Sequence, residues 1–219
     1  MPNWVTTHVS ASKRVIESMI NEEGCVDFRL VLPISLPHAG WHYVIGDAET
    51  AAERVLNTEL NNDPMIGALE AANRARVDVS KLSDESFSQF IGMLENYRAT
   101  GYLHEMDFAR KEWGTKWNAA DTRANPEDGK VTFDTAWSCP VPVLESLSKK
   151  FPTEEIKVRF ADEDIGSNCG EFTLLAGEYT MQNIAPSWRE MTHEQQQKWC
   201  AFAYEVKGWT PDVDEVEGE

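Results

Sequence analysis

The stretch AspGluAspIleGlySerAsnCysGlyGlu (162–171) carries the densest set of chemistry-bearing side chains in the sequence. Clustered carboxylates beside a turn glycine and a Ser/Asn pair are the donor types that hold Ca²⁺ or Mg²⁺ through hard oxygens. The spacing is not that of an EF-hand loop, which needs glycine at position six and a bidentate glutamate at twelve. The competing reading is a polar loop joining two strands. Trp113, Trp117 and Trp137 form a second constellation. They can stack nucleic-acid bases, as some ferredoxin-like sheets do, but such platforms need basic surroundings. Only Arg110, Lys111, Lys116 and Arg123 are local. The alternative places Trp137 in the core, on the same strand face as Phe133, with Trp113 and Trp117 covering the sheet edge.

His38 and His42, four apart, suggest zinc with His8 or His104 as further ligands. Pro37 and Gly40 argue against a helix that would present both on one face. Cys139, just before a helix opening, is the one thiol whose position suggests a lowered pKa. Pro140 removes one of the amide groups that would lower it. Nothing matches a nucleophile elbow, a zincin helix, a P-loop or a dinucleotide fingerprint. The expectation is no catalytic residue, no metal and no cofactor.

Composition narrows the function classes. The chain has 219 residues, 42% apolar and 10% aromatic, enough for a sizeable core and incompatible with wholesale disorder. Thirty-seven acids against 20 bases give a net charge of −17, a field that repels phosphate backbones and favours basic partners. The four cysteines show no CxxC pair, the N-terminus lacks a basic region followed by an apolar run, and no apolar stretch is long enough to span a bilayer. A reducing cytoplasm is the expected location.

The elements that must position these residues follow from periodicity. Trp4–Val9 reads as a strand, and Val15, Ile16, Met19 and Ile20 mark one face of a helix. Val26, Phe28, Leu30 and Leu32 alternate with Asp27 and Arg29, predicting a second strand up to Pro33. After an irregular 36–46, helices are predicted over Ala48–Leu60, Met65–Arg76 (opened by Asp63–Pro64), Asp84–Arg98 (stripe Phe87, Phe90, Ile91, Leu94) and Leu103–Trp113. Asn125–Gly129 is a turn cluster and Val131–Trp137 a strand. A helix opened by Pro140 and Pro142 carries Leu144, Leu147 and Phe151, and Ile156–Phe160 is the next strand. Phe172–Leu175 and Tyr179–Met181 make a hairpin around Gly177. Thr192 and Gln195 have capping-box spacing, ahead of a helix that Gly208 closes.

Two strand–helix–strand halves thus pair into one four-stranded antiparallel sheet. The expected fold is α+β: a ferredoxin-like sheet backed by helices, with a helical insertion, a C-terminal hairpin and a last helix. It is read as a single domain over 1–219. Within it 1–45 is the first half, 46–112 an insertion packed on the sheet, 113–190 the second half plus hairpin, 191–208 the C-terminal helix and 209–219 an acidic, solvated tail.

At MetProAsnTrp (1–4), TrpGlyThrLysTrpAsn (113–118) and PheAspThrAlaTrpSerCysPro…LeuSer…PhePro (133–152) the chain resembles the YubB-like group of small phage- and plasmid-encoded proteins, named for a C-terminal ferredoxin-like domain. The match is best across 110–172; Cys139 stands where relatives tend to carry another proline. The resemblance implies fold and genomic context, a bacteriophage or mobile-element accessory protein, and no mechanism. Together with the charge it leads to a non-enzymatic protein that binds a host or phage protein with a basic surface. One version inhibits a host defence or nucleic-acid-handling protein, with Glu154, Glu155, Asp162, Glu163, Asp164, Trp113 and Trp117 as the contact residues. The alternatives are a small enzyme using a divalent metal at Asp162, Glu163 and Asp164, and a single-stranded nucleic-acid binder using the tryptophans.

Overall fold

The computed structural model describes residues 2–211. In chain order the elements are β1 (Trp4–Ser10), α1 (Lys13–Glu17), α2 (Gly46–Leu56), α3 (Pro64–Arg76), α4 (Asp84–Thr100), α5 (Glu105–Phe108), β2 (Ala120–Asn125), β3 (Lys130–Ala136), α6 (Val141–Lys150), β4 (Ile156–Asp162), β5 (Gly170–Leu175), β6 (Glu178–Ile184) and α7 (His193–Lys207). They divide into two compact units, Met1–Pro33 with Ala109–Glu219, and Ile34–Phe108.

The first unit is built on one sheet ordered β2-β3-β1-β4-β5-β6, antiparallel at every neighbouring pair. Its first four strands have the ferredoxin-like arrangement: β3 and β4 flank β1 and are joined by α6, while β1 and β2 flank β3. The fold is α+β and ferredoxin-like, with β5, β6 and α7 added beyond β4.

The second strand of that arrangement is not the expected one. Val26–Leu32 makes a single bridge, Ile20 to Val26, and then a short 3₁₀ turn over Phe28–Leu30. Asp27 turns the chain by accepting from the Arg29 amide at 3.0 Å, a local side-chain bond that competes with strand pairing. Val26 and Phe28 give their amides to Thr122 Oγ1 and Asn118 Oδ1 instead. β2 takes the strand position, although its AspThrArgAlaAsn text is polar. It is an edge strand with a register shift between Ala120 and Arg123, and Asp121 there has φ of 46°.

One face of the sheet carries Val5 and Val9 of β1, Val131 and Phe133 of β3, and Val158 and Phe160 of β4. All are buried, as are Val15 and Ile16 of α1 and Leu144 and Leu147 of α6. The opposite face receives α7: His8 Nε2 donates to the Val206 carbonyl at 2.7 Å and Lys207 Nζ to the Trp4 carbonyl at 3.1 Å. Ala161, Cys169, Met191, Trp199, Ala203 and Val206 form the core beneath that helix. Its start is the expected capping box of Thr192 and Gln195.

The Ile34–Phe108 unit packs Ala48, Ala51 and Ala52 of α2 against Phe90 and Met93 of α4, with Leu103. Alanines on α2 let the two axes approach closely. The buried face of α4 is rotated from the predicted stripe, leaving Phe87 and Ile91 exposed. Gln89 and Asn96 take the inward positions because the irregular segment before α2 needs partners for its backbone. Asn96 Oδ1 accepts from the His38 amide at 2.8 Å, and its Nδ2 donates to His38 O and Leu103 O. Gln89 Oε1 accepts from the Ile45 amide, and its Nε2 donates to Tyr43 O, both at 3.0 Å. Among the described residues no helix is long and apolar enough to cross a membrane. The acidic tail from Asp212 onward lies outside the described residues.

Candidate functional site

The motifs that stood out in the sequence converge at one end of the sheet, where β1 begins and β3 and β4 end. Thr115, buried, donates to the Ala136 carbonyl at 2.8 Å, and Ser138 Oγ donates to the Gly114 carbonyl. This ties the 113–118 loop to the end of β3. Gly114 is required there: its φ is 72°, and a Cβ would sit 2.8 Å from Pro142 Cδ.

Asp162, at the end of β4, is buried and organises the other side of this end. Its Oδ1 accepts from Asn3 Nδ2 at 3.1 Å and from the Asp164 amide at 3.0 Å, and its Oδ2 accepts from Asn168 Nδ2 at 2.8 Å. Asn168 also donates to the Trp137 carbonyl at 3.1 Å, while the Trp137 amide donates to Asn3 O at 2.9 Å. Glu163, exposed, accepts from the Trp4 amide at 2.9 Å, and Asp164 is exposed beside it.

The tryptophans divide by role. Trp113 is buried edge-on to Phe28 at 5.6 Å and donates its indole N–H to Leu32 O at 3.0 Å. Trp117 is 41% exposed, 6.2 Å from the Trp4 ring, with Lys116 Nζ 4.5 Å above its own ring. Trp137 is 53% exposed, which corrects its expected place in the core beside Phe133. Strand parity would point it inward, but β3 stops at Ala136 and Trp137 has φ of 71°. The left-handed backbone breaks the alternation and swings the indole to solvent. The result is an aromatic rim of Trp4, Trp117 and Trp137 on a hydrogen-bonded base, with two exposed carboxylates alongside.

Other sequence candidates are placed elsewhere or otherwise engaged. Glu154 and Glu155 precede β4, so about 25 Å of extended chain separates them from Glu163; Glu155 faces Lys157 at 3.8 Å. Glu154 and Glu155 thus stand at the opposite end of β4 from Glu163 and Asp164, and Asp162 is buried. Asp162, Glu163 and Asp164 do not assemble a metal centre, and neither do the histidines. Among the described residues no group of three His, Cys, Asp or Glu side chains is placed to hold a metal ion. His38 pairs with Glu95, and His104, buried, donates from Nε2 to Glu49 Oε1 at 3.0 Å. Cys139 is buried, and burial pushes its thiol up to about 12. That is the reverse of the expected lowering and leaves it a thiol, not a nucleophilic thiolate, at neutral pH. The sequence does not single out Asn3 as a site residue, and Asn168, read there only as half of a Ser/Asn pair able to face a cation, instead ties Asp162 to Trp137. The signal for Asn168 is its place in a Gly- and Ser-flanked polar loop.

The fold and this end of the sheet define a ferredoxin-like domain with an aromatic rim. Residues 112–212 match the family model described as the ferredoxin-like domain in Api92-like protein. The matched region, a little under half of the chain, runs from the rim loop through α7, and its description is that of an Api92-like ferredoxin-like domain, not of the YubB-like group named from the motifs. A solved structure, the crystal structure of a protein api92 from Yersinia pseudotuberculosis, is similar at 10% identity and a TM-score of 0.37, over 85% of this chain and 99% of that one. No curated protein matches.

Proposed function

We propose that this chain is a non-enzymatic accessory protein of a phage or mobile element, acting in the bacterial cytoplasm by holding one host or phage protein at the Trp117–Trp137 rim. The observation that carries this reading is Trp137 itself, more than half exposed on a left-handed backbone. A bulky residue in that region costs about 1–3 kcal/mol, and such strain persists where the surroundings enforce it and function uses it. Here Asn3 and Asn168 enforce it. Exposed tryptophans are the side chains most often found carrying binding energy at interfaces.

The chemistry of the rim selects a basic partner. A Lys or Arg side chain laid on an indole face gains a cation–π contact, and Glu163 and Asp164 stand on the adjoining loop to meet the same charge. The net charge of −17 adds long-range attraction that speeds encounter. The basic groove of a host defence or nucleic-acid-handling protein is the concrete form of such a partner. Trp113, Asp162, Glu154 and Glu155 drop out of the contact set, and Trp137 joins it.

The test is affinity purification of the tagged full chain from bacterial lysate at low and high salt, comparing wild type with Trp137→Ala and with a Glu163→Lys/Asp164→Lys double variant. The expected result is one stoichiometric protein, captured by wild type, released by salt and lost from both variants. Equal capture by wild type and Trp137→Ala overturns the proposal, as does a partnerless wild-type eluate.

A further inference from the structure

α3 is built inside out. Its polar side chains turn toward the rest of its own unit: Arg74 Nε lies 3.3 Å from Glu53 Oε2 and its Nη1 donates to the Thr58 carbonyl at 2.6 Å, while Glu70 accepts from the Asn61 amide at 2.8 Å. Gly67 is the buried residue of the helix, and a Cβ there would meet the Asn61 carbonyl at 2.6 Å. The apolar side chains face out. Met65 is 80% exposed, Leu69 62% and Ile66 46%. Amphipathic helices of globular proteins normally do the reverse, and an exposed apolar stripe marks a contact surface.

Met65, Leu69, Ala72 and Arg76 follow one another at spacings of four, three and four, which is the seam of a helix pair. The geometry points to a second copy of this chain as the occupant, its α3 packed antiparallel on the first about a two-fold axis midway between Leu69 and Ala72. In that register Leu69 of each chain lies over Ala72 of the other, large on small. Met65 lies against the aliphatic stem of Arg76, whose guanidinium then reaches Asp63 at the start of the facing helix. The stripe thus supplies its own complement in size and in charge. Ala68 and Ala75 flank it and let the axes approach.

A contact made by 13-residue helices, each about 20 Å long, falls at the small end of specific interfaces. The pair is therefore a concentration-dependent dimer, not an obligate one. Two chains of charge −17 also repel each other, so salt strengthens this contact by screening. The basic partner at the rim would show the opposite salt response.

Sedimentation velocity of the full chain across a wide concentration range, at low and high salt, tests this. The wild type should pass from monomer to dimer, at lower concentration in high salt. Leu69→Glu should weaken association at least about tenfold by setting two charges against the seam, and Ala72→Leu should weaken it by filling the space Leu69 needs. Both positions lie outside the core of the unit, and circular dichroism checks that each variant is folded. Trp137→Ala should dimerise as wild type does. A wild type that stays monomeric throughout, or a dimer indifferent to Leu69→Glu, overturns the proposal.

Discussion

Asn168 holds Trp137 from outside the strand: its Nδ2 donates to the Trp137 carbonyl at 3.1 Å while reaching Asp162 Oδ2 at 2.8 Å. Asn168 itself has φ of 43°, so it contributes both an amide and a left-handed backbone. Asn168→Gly keeps the backbone and loses the amide, and should cost about 1–2 kcal/mol. Asn168→Ala loses both and should cost about 1 kcal/mol more. Urea unfolding of the two variants separates the contributions. Equal stability of both with wild type would mean that the tie does not support the rim.

Trp137 presents a sharper contrast between stability and binding. Replacing it with glycine removes the steric strain at φ of 71°, against the extra entropy of an unfolded glycine. Trp137→Gly should therefore leave stability unchanged or raise it by up to about 1 kcal/mol, while abolishing partner capture. Thermal unfolding and affinity purification on the same variant decide it. A loss of more than about 2 kcal/mol would mark the indole as packing, since surface substitutions rarely cost that much.

Trp113 and Trp117 sit four residues apart in one motif and should behave in opposite ways. Trp113→Ala empties a buried site against Phe28 and should cost about 3–5 kcal/mol. Trp117→Ala removes an exposed ring and should cost less than about 1 kcal/mol, while weakening partner binding. If both variants melt together, the division of the tryptophans into core and rim is wrong.

That division shows where sequence pattern stops informing. The strands Trp4–Ser10, Lys130–Ala136 and Ile156–Asp162, the β5–β6 hairpin and the Thr192 capping box are legible because each rests on local alternation, turn residues or cap chemistry. β2 is not legible, because an edge strand pairs through its backbone and Asp121, Arg123 and Asn125 need bury nothing. Val26–Leu32 alternates convincingly, yet one Asp27 side chain bond turns it. Trp137 is misplaced by parity because parity assumes an extended backbone. The rim depends on Asn3, Asp162 and Asn168 meeting across more than 150 residues, a relationship that no spacing rule carries.

The carboxylates of the 162–164 loop should be indifferent to divalent cations. Both Asp162 oxygens already accept hydrogen bonds, from Asn3, Asn168 and the Asp164 amide, so a cation would have to displace them. Calorimetric titration with Mg²⁺, Mn²⁺ and Ca²⁺ should show no stoichiometric heat. Asp162→Asn should cost about 1–3 kcal/mol, since one of its two ends then opposes an amide donor with another. Stoichiometric heat abolished by Asp162→Asn would restore the metal reading.

Alkaline pH should destabilise this chain through its buried thiols. Burial pushes Cys139 up to about 12 from an ordinary 9.0; Cys169 is likewise raised to about 12 by burial, with Cys200 and Asp162 adding to it. Between pH 9 and 12 the unfolded chain has released protons that the folded chain still holds. Stability is thus fully present below about pH 9 and falls as pH rises toward 12. For Cys139 the slope approaches about 1.4 kcal/mol per pH unit within that window. Tyr179, raised to about 12 by burial and by its hydrogen bond to Glu145, acts in the same direction at its upper end. Urea midpoints measured at about pH 8 and pH 10.5 should differ accordingly, with Cys139→Ala flattening the decline. Thiol labelling offers an independent reading, because Cys25 is exposed whereas Cys139 and Cys169 are buried. In the folded chain near pH 8 Cys25 should react at once, and Cys139 and Cys169 only as fast as the chain opens. Immediate labelling of all four thiols, with an unfolding midpoint flat across the window, would show that these cysteines are not shielded as described.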